Sequence, residues 1–515
     1  MEDVKTVTQI LGKDYYMAKI DLKSAYHSIP IANEDRKFLR FRWKGILYEY
    51  TCLPFGLCTA PRVFTKLLKP VVAYLRNKGY ISVVFIDDLL LIGLNYDMCI
   101  ANITSTLSLL ESLGFTINYD KSVITPTRKL EYLGFQLDTI EMTIQLPKHK
   151  KEKILKLIPT ILNRPTFTIH DCAKVIGTLV AASPAVPYSL LYCRQLERDK
   201  ESFLSIHEGD FSKPMYLSKK AIEDCRWWLN RIPESKKYFK LRTPDIVIFT
   251  DASLSGWGAS LNNETTRGFW SFLDRNRHIN ELELLAVELA LRSFCSTMSD
   301  IHILLRIDNT TALAYVNRFG GCHSIRLHEI AKRIWMWCET RNIFLTASYI
   351  ASSENFIADQ ESRAVTDDSE WVLDDAVFCQ LCRRFFNPSI DLFASYVSNK
   401  CSKYISWHPD PFSCGVDAFT VSWGAKFYAF PPFCLIPKVI DKVIRENARG
   451  ILVVPSWPSQ PWYPLFKCIS ESSVLVFGPN INLLTCPFSR KPHPLHRTLM
   501  LEAAIISGTL LNKRD

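Results

Sequence analysis

The sequence predicts a multidomain protein that combines α+β and α/β regions. Its 515 residues are too many for a single hydrophobic core, since one domain usually takes roughly 100–200 residues. Hydrophobic residues make up 48% of the chain and charged residues 22%, a balance that is typical of folded globular domains and excludes a disordered or fibrous protein. The apolar pattern changes along the chain, and these changes divide it into four regions.

The first two regions differ in apolar periodicity. Residues 1–145 alternate β-rich runs with helical stretches, which predicts an α+β fold. The β-rich runs are Tyr16–Ile20, Leu47–Cys52, Ser82–Ile92 and Tyr132–Leu137, and the helical stretches include Arg62–Leu75 and Ile100–Leu113. Residues 146–240 begin with a lysine-rich run and continue as amphipathic helices interrupted by prolines, which predicts a helical region.

The sequence patterns of the last two regions predict α/β folds. Residues 241–365 open with a strand, Ile246–Thr250, and then a predicted turn at Gly256 and Gly258, before helices and strands alternate. A polar, acidic link, Thr366–Glu370, separates this region from the last one. Residues 366–515 are rich in Trp, Pro and Cys, with a helix predicted at Ile436–Asn447 and a buried strand at Gly450–Pro455.

Charge and hydropathy restrict the possible partners and location. The net charge of +10 fits a polyanionic partner without requiring one. Met1–Lys19 has no continuous apolar core and so does not resemble a signal peptide. The richest apolar stretch, Ile81–Gly93, is short and is interrupted by two aspartates, so no membrane span is predicted. We expect an intracellular protein of the cytoplasm or nucleus that is not secreted.

Acidic residues in the first region form a candidate metal site. Asp21 ends a short strand, where a helix N-cap is the simplest alternative role. Asp87 and Asp88 join two apolar strands, where a hairpin turn would favour Asp-Gly or Asn-Gly. Adjacent like charges beside apolar strands are costly without a cation. Because Mg²⁺ prefers carboxylate oxygens, Asp21 and Asp87 on neighbouring strands could hold two ions for phosphoryl transfer.

Three ordered segments, Asp21–Tyr26, Leu53–Pro61 and Phe85–Asp88, resemble the motif series of retroelement reverse transcriptases. Asn118–Ser122 and Leu130–Phe135 resemble the two motifs that follow, the second of which is the primer grip. The resemblance covers about 130 residues. It implies a right-hand polymerase with palm and partial fingers in 1–145 and a helical thumb or connection in 146–240. The implied partners are an RNA template, a DNA primer and dNTPs.

The resemblance also implies residue roles. Asp21 and Asp87 would carry two Mg²⁺ ions, with Mn²⁺ as an alternative, and Asp88 would support them. Tyr26 would exclude a ribose 2′-hydroxyl, although a core aromatic is the simpler reading of the residue alone. Phe55 and Gly56 would lie near the incoming nucleotide. Lys121 would also bind the nucleotide, although it could equally be a solvated loop lysine. The primer grip would consist of Leu133, Gly134 and Phe135.

One feature departs from the reverse transcriptase pattern. Only 20 residues precede Asp21, whereas the basic fingers that grip the triphosphate begin well upstream in the family. Because positive charge on the triphosphate stabilises the transition state, a catalytically inactive nucleic-acid-binding remnant is the alternative function.

A second acidic set lies in residues 241–365. Asp251 and Asp308 each end a predicted strand, and Asp359 lies on a predicted C-terminal helix. On the helix between the two strands, Glu281 and Glu288 share a face that is most simply solvated, which leaves Glu283 as the better ligand candidate. Each residue alone would be interpreted as a cap or a surface charge.

Together, Asp251, Glu283, Asp308 and Asp359 resemble the ribonuclease H series in residue type and order. The resemblance implies a mixed sheet, two Mg²⁺ ions and hydrolysis of the RNA strand of an RNA–DNA hybrid. A transposase or integrase of related fold is the rival, but those proteins lack a glutamate on the first helix in this order. Tyr349 stands where many relatives carry a histidine, and tyrosine cannot shuttle protons near neutral pH.

The last region, 366–515, resembles the methyltransferase-like module of DIRS-type retrotransposons through Pro388–Ala394, Tyr428–Phe433 and Leu452–Pro455. Active amino-methyltransferases carry Asp or Asn at the position of Phe430, so a structural or nucleic-acid-binding role is favoured over an S-adenosylmethionine site. Cys379 and Cys382 lack a second ligand pair for zinc, and a helix with two buried thiols is favoured. We expect integration to need a separate recombinase or integrase chain, and the oligomeric state is not predicted.

Overall fold

The computed structural model describes residues 2–239, 243–271, 273–363, 370–487 and 490–510. The chain divides into two compact units, Met1–Arg242 and Thr243–Asp515. Each unit holds two of the four predicted regions, and the division into four domains stays a prediction. Most of the acidic link predicted at Thr366–Glu370 lies outside the described residues. Within the described ranges, none of the helices has the combined length and apolar character needed to cross a bilayer.

The first part of unit 1 is a four-stranded sheet backed by two long helices, with strand order β4-β5-β1-β6. The elements are α1 (Val4–Ile10), β1 (Tyr16–Asp21), β2 (Arg40–Trp43), β3 (Ile46–Glu49), α2 (Ala60–Asn77), β4 (Ile81–Phe85), β5 (Asp88–Gly93), α3 (Tyr96–Ser112) and β6 (Val123–Thr127). Buried side chains of β1, β5, α2 and α3 form one apolar core. The alternation of strands and helices predicted for this region is confirmed.

The second part of unit 1 joins a small sheet to a helical segment. The sheet has the order β12-β9-β8-β7. Its strands are β7 (Lys129–Tyr132), β8 (Phe135–Asp138), β9 (Thr143–Gln145) and, after the helices, β12 (Lys236–Tyr238). Between them lie α4 (Lys148–Leu157), α5 (Pro159–Leu162), β10 (Phe167–Thr168), α6 (Ile169–Ala182), α7 (Arg194–Ile206), β11 (Pro214–Met215) and α8 (Lys219–Arg231). The helical prediction for this segment is confirmed.

Unit 2 begins with a five-stranded mixed sheet of order β15-β14-β13-β16-β17. β13, β16 and β17 are parallel, whereas β14 and β15 run antiparallel as a meander. The elements are β13 (Ile246–Ala252), β14 (Gly256–Leu261), β15 (Glu264–Phe269), α9 (Ile279–Phe294), β16 (His302–Ile307), α10 (Thr310–Asn317), α11 (Ile325–Glu339), β17 (Phe344–Tyr349) and α12 (Phe356–Ser362).

The turn predicted at Gly256 and Gly258 is wrong, because both glycines lie inside β14. A Cβ added at Gly258 would lie 2.4 Å from the carbonyl oxygen of Ala358 and 2.5 Å from the backbone nitrogen of Ser362. Glycine is required there because α12 packs directly onto the strand, rather than because the chain turns. The helix predicted to carry Asp359 is confirmed as α12.

The C-terminal part of unit 2 contains a second five-stranded sheet of order β19-β20-β21-β24-β22. Its elements are β18 (Val372–Leu373), α13 (Asp375–Arg384), β19 (Ile390–Asp391), β20 (Ala425–Ala429), α14 (Ile436–Glu446), β21 (Arg449–Pro455), α15 (Tyr463–Ile469), β22 (Leu475–Phe477), β23 (Leu484–Thr485) and β24 (Leu501–Ser507). The helix and the buried strand predicted near residues 436 and 450 are confirmed.

Candidate active sites

The register of β1 with β5 brings the acidic residues of unit 1 together. Asp21 is the direct cross-strand partner of Asp88. The backbone N–H of Leu22 donates to the carbonyl oxygen of Asp87 at 3.1 Å, so the chain after β1 is tied to the β4–β5 turn. Residues more than 60 positions apart in the sequence therefore meet at one end of the sheet.

The turn that presents Asp87 has a strained backbone. Ile86 has a φ of 56°, in the left-handed region that β-branched residues avoid. Such a conformation costs on the order of 1–3 kcal/mol and is found mainly at sites where function needs it. The apolar strands on either side hold this turn between Phe85 and Asp88.

Asp21 and Asp87 differ in their surroundings. The side-chain amide of Asn118 donates to Oδ1 of Asp21 at 2.7 Å, which fixes the orientation of that carboxylate. Burial raises the pKa of Asp87, and the negative charges of Asp88 and Asp21 raise it further, while Lys121 lowers it. Mutual repulsion of this kind is relieved by a bound cation, and carboxylate oxygens are the ligands that Mg²⁺ prefers.

Asp88 has a different local partner. Its Oδ1 lies 3.1 Å from the ammonium of Lys19, and both side chains are partly exposed. A partly exposed ion pair contributes little stability. The pair instead places a positive charge beside the acidic cluster.

The aromatic residues of the first region lie next to these carboxylates. Tyr26 is buried, with ring centroids 5.0 Å from Phe55 and 5.9 Å from Phe64. Burial raises the pKa of Tyr26, and the charge of Asp87 raises it further, so the phenol is close to that carboxylate. Phe55 is exposed, and the φ of +93° at the next residue, Gly56, favours glycine.

The segment that resembles a primer grip is a tight hairpin between β7 and β8. Leu133 and Gly134 both have positive φ, 48° and 72°, as a type I′ turn requires. The hydroxyl of Tyr132 donates to the carbonyl oxygens of Val83 and Asp88, each at 3.1 Å. This buried tyrosine therefore anchors the hairpin to the strands that carry the aspartate pair.

Some contacts in unit 1 were not predicted from the sequence. Asn118 and Tyr132 lie inside motifs used for the resemblance, but neither was given a role. The ammonium of Lys150 lies 5.2 Å from the ring centroid of Phe135, and a Cβ at Gly134 would approach that ammonium to 1.9 Å. The lysine-rich start of the helical region was the available signal for Lys150.

Unit 2 brings Asp251, Glu283 and Asp308 into one cluster. One carboxylate oxygen from each lies within 4.8 Å of the other two. Asp251 lies near the end of β13, and Asp308 directly follows β16. The two strands are parallel, so their carboxyl ends meet at the same edge of the sheet. Helix α9 packs against β13 and supplies Glu283.

Burial gives this cluster unusual electrostatics. Burial raises the pKa of Glu283 to about 9, with further contributions from the charges of Asp251 and Asp308. Oε2 of Glu283 is buried and has no hydrogen-bond partner among the described residues. Burial also raises the pKa of Asp251, although the hydroxyl of Ser362 donates to its Oδ2 at 2.5 Å and lowers it. An unpartnered buried oxygen within a set of carboxylates fits a divalent cation.

Asp359 lies close to this cluster but outside the set of mutually close oxygens. Its charge raises the pKa of Asp251, and its own Oδ1 is 2.6 Å from the guanidinium of Arg363. Ser352 donates to Oδ2 of Asp308 at 2.7 Å. Tyr349, at the position where histidine was expected, ends β17 and is exposed.

The prediction of a solvated face for Glu281 and Glu288 is wrong, because each is only 6% exposed. Helix α11 covers that face of α9 and supplies two arginines. Glu281 is paired with Arg277 and Arg326, and Glu288 is paired with Arg292 and Arg333. Glu281 and Glu288 do share one face of α9, as their spacing predicted, but that face contacts the basic helix α11 rather than water.

Two of the three segments behind the methyltransferase resemblance contribute to one cavity of about 650 Å³, through residues that include Asp391, Tyr428, Phe430 and Pro431. The third segment, Leu452–Pro455, does not line this cavity. Burial raises the pKa of Asp391 to about 7. The prediction of two buried thiols is wrong in part. Cys379 and Cys382 do lie on a helix, α13, but Cys379 is exposed and Cys382 is half-buried.

The fold and these two clusters define a multidomain protein of mixed α/β structure with two separate acidic sites. Residues 1–137 match the family described as reverse transcriptase (RNA-dependent DNA polymerase). The chain therefore carries a reverse transcriptase domain, which its similarity to retroelement polyproteins also supports.

Relatives were found among polyproteins. The chain is 24% identical over 371 residues to the enzymatic polyprotein of cauliflower mosaic virus (strain CM-1841), covering 69% of this chain and 51% of that protein. It is 27% identical over 317 residues to the retrovirus-related Pol polyprotein from transposon gypsy of Drosophila melanogaster, covering 56% and 28%. The chain thus spans about half the length of the cauliflower mosaic virus polyprotein and less of the gypsy protein.

Among solved structures, a foamy viral protease-reverse transcriptase in complex with an RNA/DNA hybrid is similar at 14% identity and a TM-score of 0.39, covering 71% of this chain and 46% of that chain. The same viral protein in complex with dsDNA is similar at 16% identity and a TM-score of 0.38, covering 65% and 68%.

Proposed function

We propose that the chain is an RNA-directed DNA polymerase with ribonuclease H activity from a retrotransposon. One observation carries the proposal: Asp251, Glu283 and Asp308 form a carboxylate cluster in unit 2, and acidic residues of unit 1, Asp21, Asp87 and Asp88, are neighbours at one end of a sheet. Phosphoryl transfer on nucleic acids by two metal ions needs ligands of this kind. The proposed domains are the four predicted regions, with the boundaries given above.

In the polymerase site, Asp21 and Asp87 would hold two Mg²⁺ ions. When bound, these ions stabilise the attacking and leaving oxygens of nucleotide addition. The amide of Asn118 keeps Asp21 oriented for this role. Tyr26 and Phe55 would form an aromatic floor for the incoming dNTP, next to Asp87.

The second site would cleave the RNA strand of an RNA–DNA hybrid. Asp251, Glu283 and Asp308 would hold the ions, and Asp359 would complete the set from α12. When bound, the ions supply the attacking hydroxide and stabilise the leaving oxygen. A bound cation would lower the pKa of Glu283, which burial raises, because the cation favours the charged carboxylate.

The experiment measures two reactions in three proteins. Primer extension on an RNA template and cleavage of a labelled RNA–DNA hybrid are assayed with Mg²⁺ for the native chain, Asp87→Asn and Asp251→Asn. Each substitution keeps the side-chain shape and removes one charge. We expect Asp87→Asn to lower extension by about a hundredfold or more while hybrid cleavage continues. Asp251→Asn should give the opposite result.

The crossed design separates the alternatives. If the native chain performs neither reaction, the proposal fails and the inactive remnant is supported. If both substitutions affect both reactions equally, the two clusters do not act as independent sites, and the assignment of one reaction to each cluster is wrong.

A further inference from the structure

Lys19 lies on the same face of the first sheet as the acidic residues of unit 1. The register pairs Asp21 directly with Asp88, and it pairs Lys19 with the residue two positions further along β5, Leu90. Directly paired residues point to one face, as do residues two positions apart along a strand. The residue between Lys19 and Asp21, Ile20, belongs to the apolar core on the other face. The sheet therefore presents a lysine among carboxylates.

The ammonium of Lys19 compensates a buried oxygen of Asp88. Oδ1 of Asp88 is buried, and among the described residues no group meets the geometry of a hydrogen bond to it. The Nζ atom of Lys19 lies 3.1 Å from this oxygen, and the two side chains are 19% and 24% exposed. Because a buried carboxylate oxygen without a partner is costly, Asp88 should stay with Lys19 rather than turn toward an ion.

The main chain of Asp88 is held by a different residue. The hydroxyl of Tyr132 donates to the carbonyl oxygen of Asp88 at 3.1 Å. Burial raises the pKa of Tyr132, and the charge of Asp88 raises it further, so the phenol also lies near that carboxylate. Asp88 is thus held through its backbone by Tyr132 and through its side chain by Lys19.

The other two carboxylates have different surroundings. Burial raises the pKa of Asp87, and the charge of Lys121 lowers it. Asp21 has a neutral partner, because the side-chain amide of Asn118 donates to its Oδ1. The ion pair with Lys19 therefore singles out Asp88 and leaves the charges of Asp21 and Asp87 for a cation.

We propose that Lys19 is a positioning residue of the polymerase site that keeps Asp88 from binding metal. Only Asp21 and Asp87 then face the ions, since the ion pair of Lys19 and Asp88 has no net charge. Magnesium held by one or two carboxylates relies on phosphate oxygens of the substrate for further ligands. The ions therefore bind weakly to the free protein and tightly only together with the incoming dNTP. This inference rests on the proposed function, because it assigns the ligands of that site.

The test locates bound metal by the cuts that Fe²⁺, with ascorbate and peroxide, makes in the backbone next to it. Neither primer nor nucleotide is added, so the result does not depend on DNA synthesis. The quantity measured is the Fe²⁺ concentration that gives half-maximal cutting near residue 87. Cuts near residue 251 report the cluster of unit 2 in the same sample and should be the same in all variants of Lys19.

Removing the charge of Lys19 should strengthen metal binding. In Lys19→Met three carboxylates face the ion instead of two, so half-maximal cutting should need about tenfold less Fe²⁺. Lys19→Arg keeps the charge and should stay within about twofold of the native chain. Lys129→Met is the matched control, because it breaks another ion pair of unit 1, in which Nζ of Lys129 lies 2.9 Å from Oδ2 of Asp138. It should also stay within about twofold.

Removing both members of the ion pair gives the sharpest comparison. The double substitution Lys19→Met with Asp88→Asn deletes a pair without net charge, so it should need Fe²⁺ within about twofold of the native concentration. If Asp88 bound the metal in the native chain, the double variant would need about tenfold more Fe²⁺, which would overturn the proposal.

Other outcomes separate this proposal from the proposed function. An equal Fe²⁺ requirement of the native chain and Lys19→Met would overturn the role of Lys19 alone, and so would an equal gain of affinity in Lys129→Met. Undiminished cutting near residue 87 in Asp87→Asn would overturn the metal site itself and the role of Lys19 with it.

Discussion

Replacing Glu283 by glutamine should change how the stability of the metal-free protein depends on pH. The pKa of Glu283 is raised from 4.5 to about 9. The folded state therefore keeps a proton that the unfolded state has already lost at neutral pH. Stability supplied by this proton is present below pH 4.5 and is lost as the pH rises toward 9. Glutamine carries no titrating proton, so Glu283→Gln should remove this loss.

The magnitude follows from the linkage between protons and folding. Each pH unit between the two pKa values corresponds to about 1.4 kcal/mol of unfolding free energy. Between pH 5.5 and 8.5 the native chain should thus lose up to about 4 kcal/mol that the variant retains. Glu283 is almost fully buried, so screening by solvent does not reduce this ceiling in the way it does for surface charges.

The assay is urea unfolding in EDTA at four pH values from 5.5 to 8.5, followed through the tryptophan fluorescence. Glu264→Gln, at an exposed position on β15, is the matched control and should follow the native slope. Adding Mg²⁺ should stabilise the native chain increasingly as the pH rises, because binding displaces the proton. If Glu283→Gln and the native chain have the same pH slope, the environment described for Glu283 is wrong.

Three further substitutions test individual contacts. Ser362→Ala removes the hydrogen bond that lowers the pKa of Asp251, so the acid limb of hybrid cleavage should move to higher pH in a pH–rate profile. Gly258→Ala forces a Cβ into α12 and should lower the unfolding free energy by about 1–3 kcal/mol in urea titrations. Gly134→Ala puts a Cβ at positive φ and against Lys150, and should raise the KM for primer in extension assays.

Two glycines in open space serve as controls for these substitutions. Gly177 lies within α6, and apart from its own helix no described residue comes within 4 Å of an added Cβ, so Gly177→Ala should stabilise the protein by up to about 1 kcal/mol. Gly79 has a φ of +88° in open space, so Gly79→Ala tests positive φ without a clash. An acid limb that Ser362→Ala does not move would contradict the hydrogen bond to Asp251. A Gly258→Ala protein of native stability would contradict the close packing of α12. An unchanged KM for primer in Gly134→Ala would contradict the role given to the β7–β8 hairpin.

Local patterns predicted most of the secondary structure because the spacing of apolar residues indicates which face of a strand or helix is buried. The alternating runs around residues 16–20 and 82–92 became β1, β4 and β5, and the strands around Asp251 and Asp308 formed as expected. The resemblance to the ribonuclease H series predicted that four acidic residues converge in unit 2. The structure brings Asp251, Glu283 and Asp308 together, whereas Asp359 lies outside that set.

Contacts between distant elements could not be predicted in this way. A helical face bearing Glu281 and Glu288 looks the same in sequence whether it faces water or the arginines of α11. Gly258 suggested a turn in the sequence, but glycine is needed there because α12, about 100 residues later in the chain, packs directly onto the strand. The full exposure of the β2–β3 hairpin could not be predicted either, because its alternating apolar residues are typical of a half-buried strand.

Anomalous diffraction from crystals grown with Mn²⁺ and an RNA–DNA hybrid tests the two-site proposal most directly. We expect anomalous peaks between Asp21 and Asp87 in unit 1 and among Asp251, Glu283 and Asp308 in unit 2. Peaks confined to other surface carboxylates, with both clusters empty at saturating Mn²⁺, would contradict the assignment of either cluster to metal-dependent catalysis.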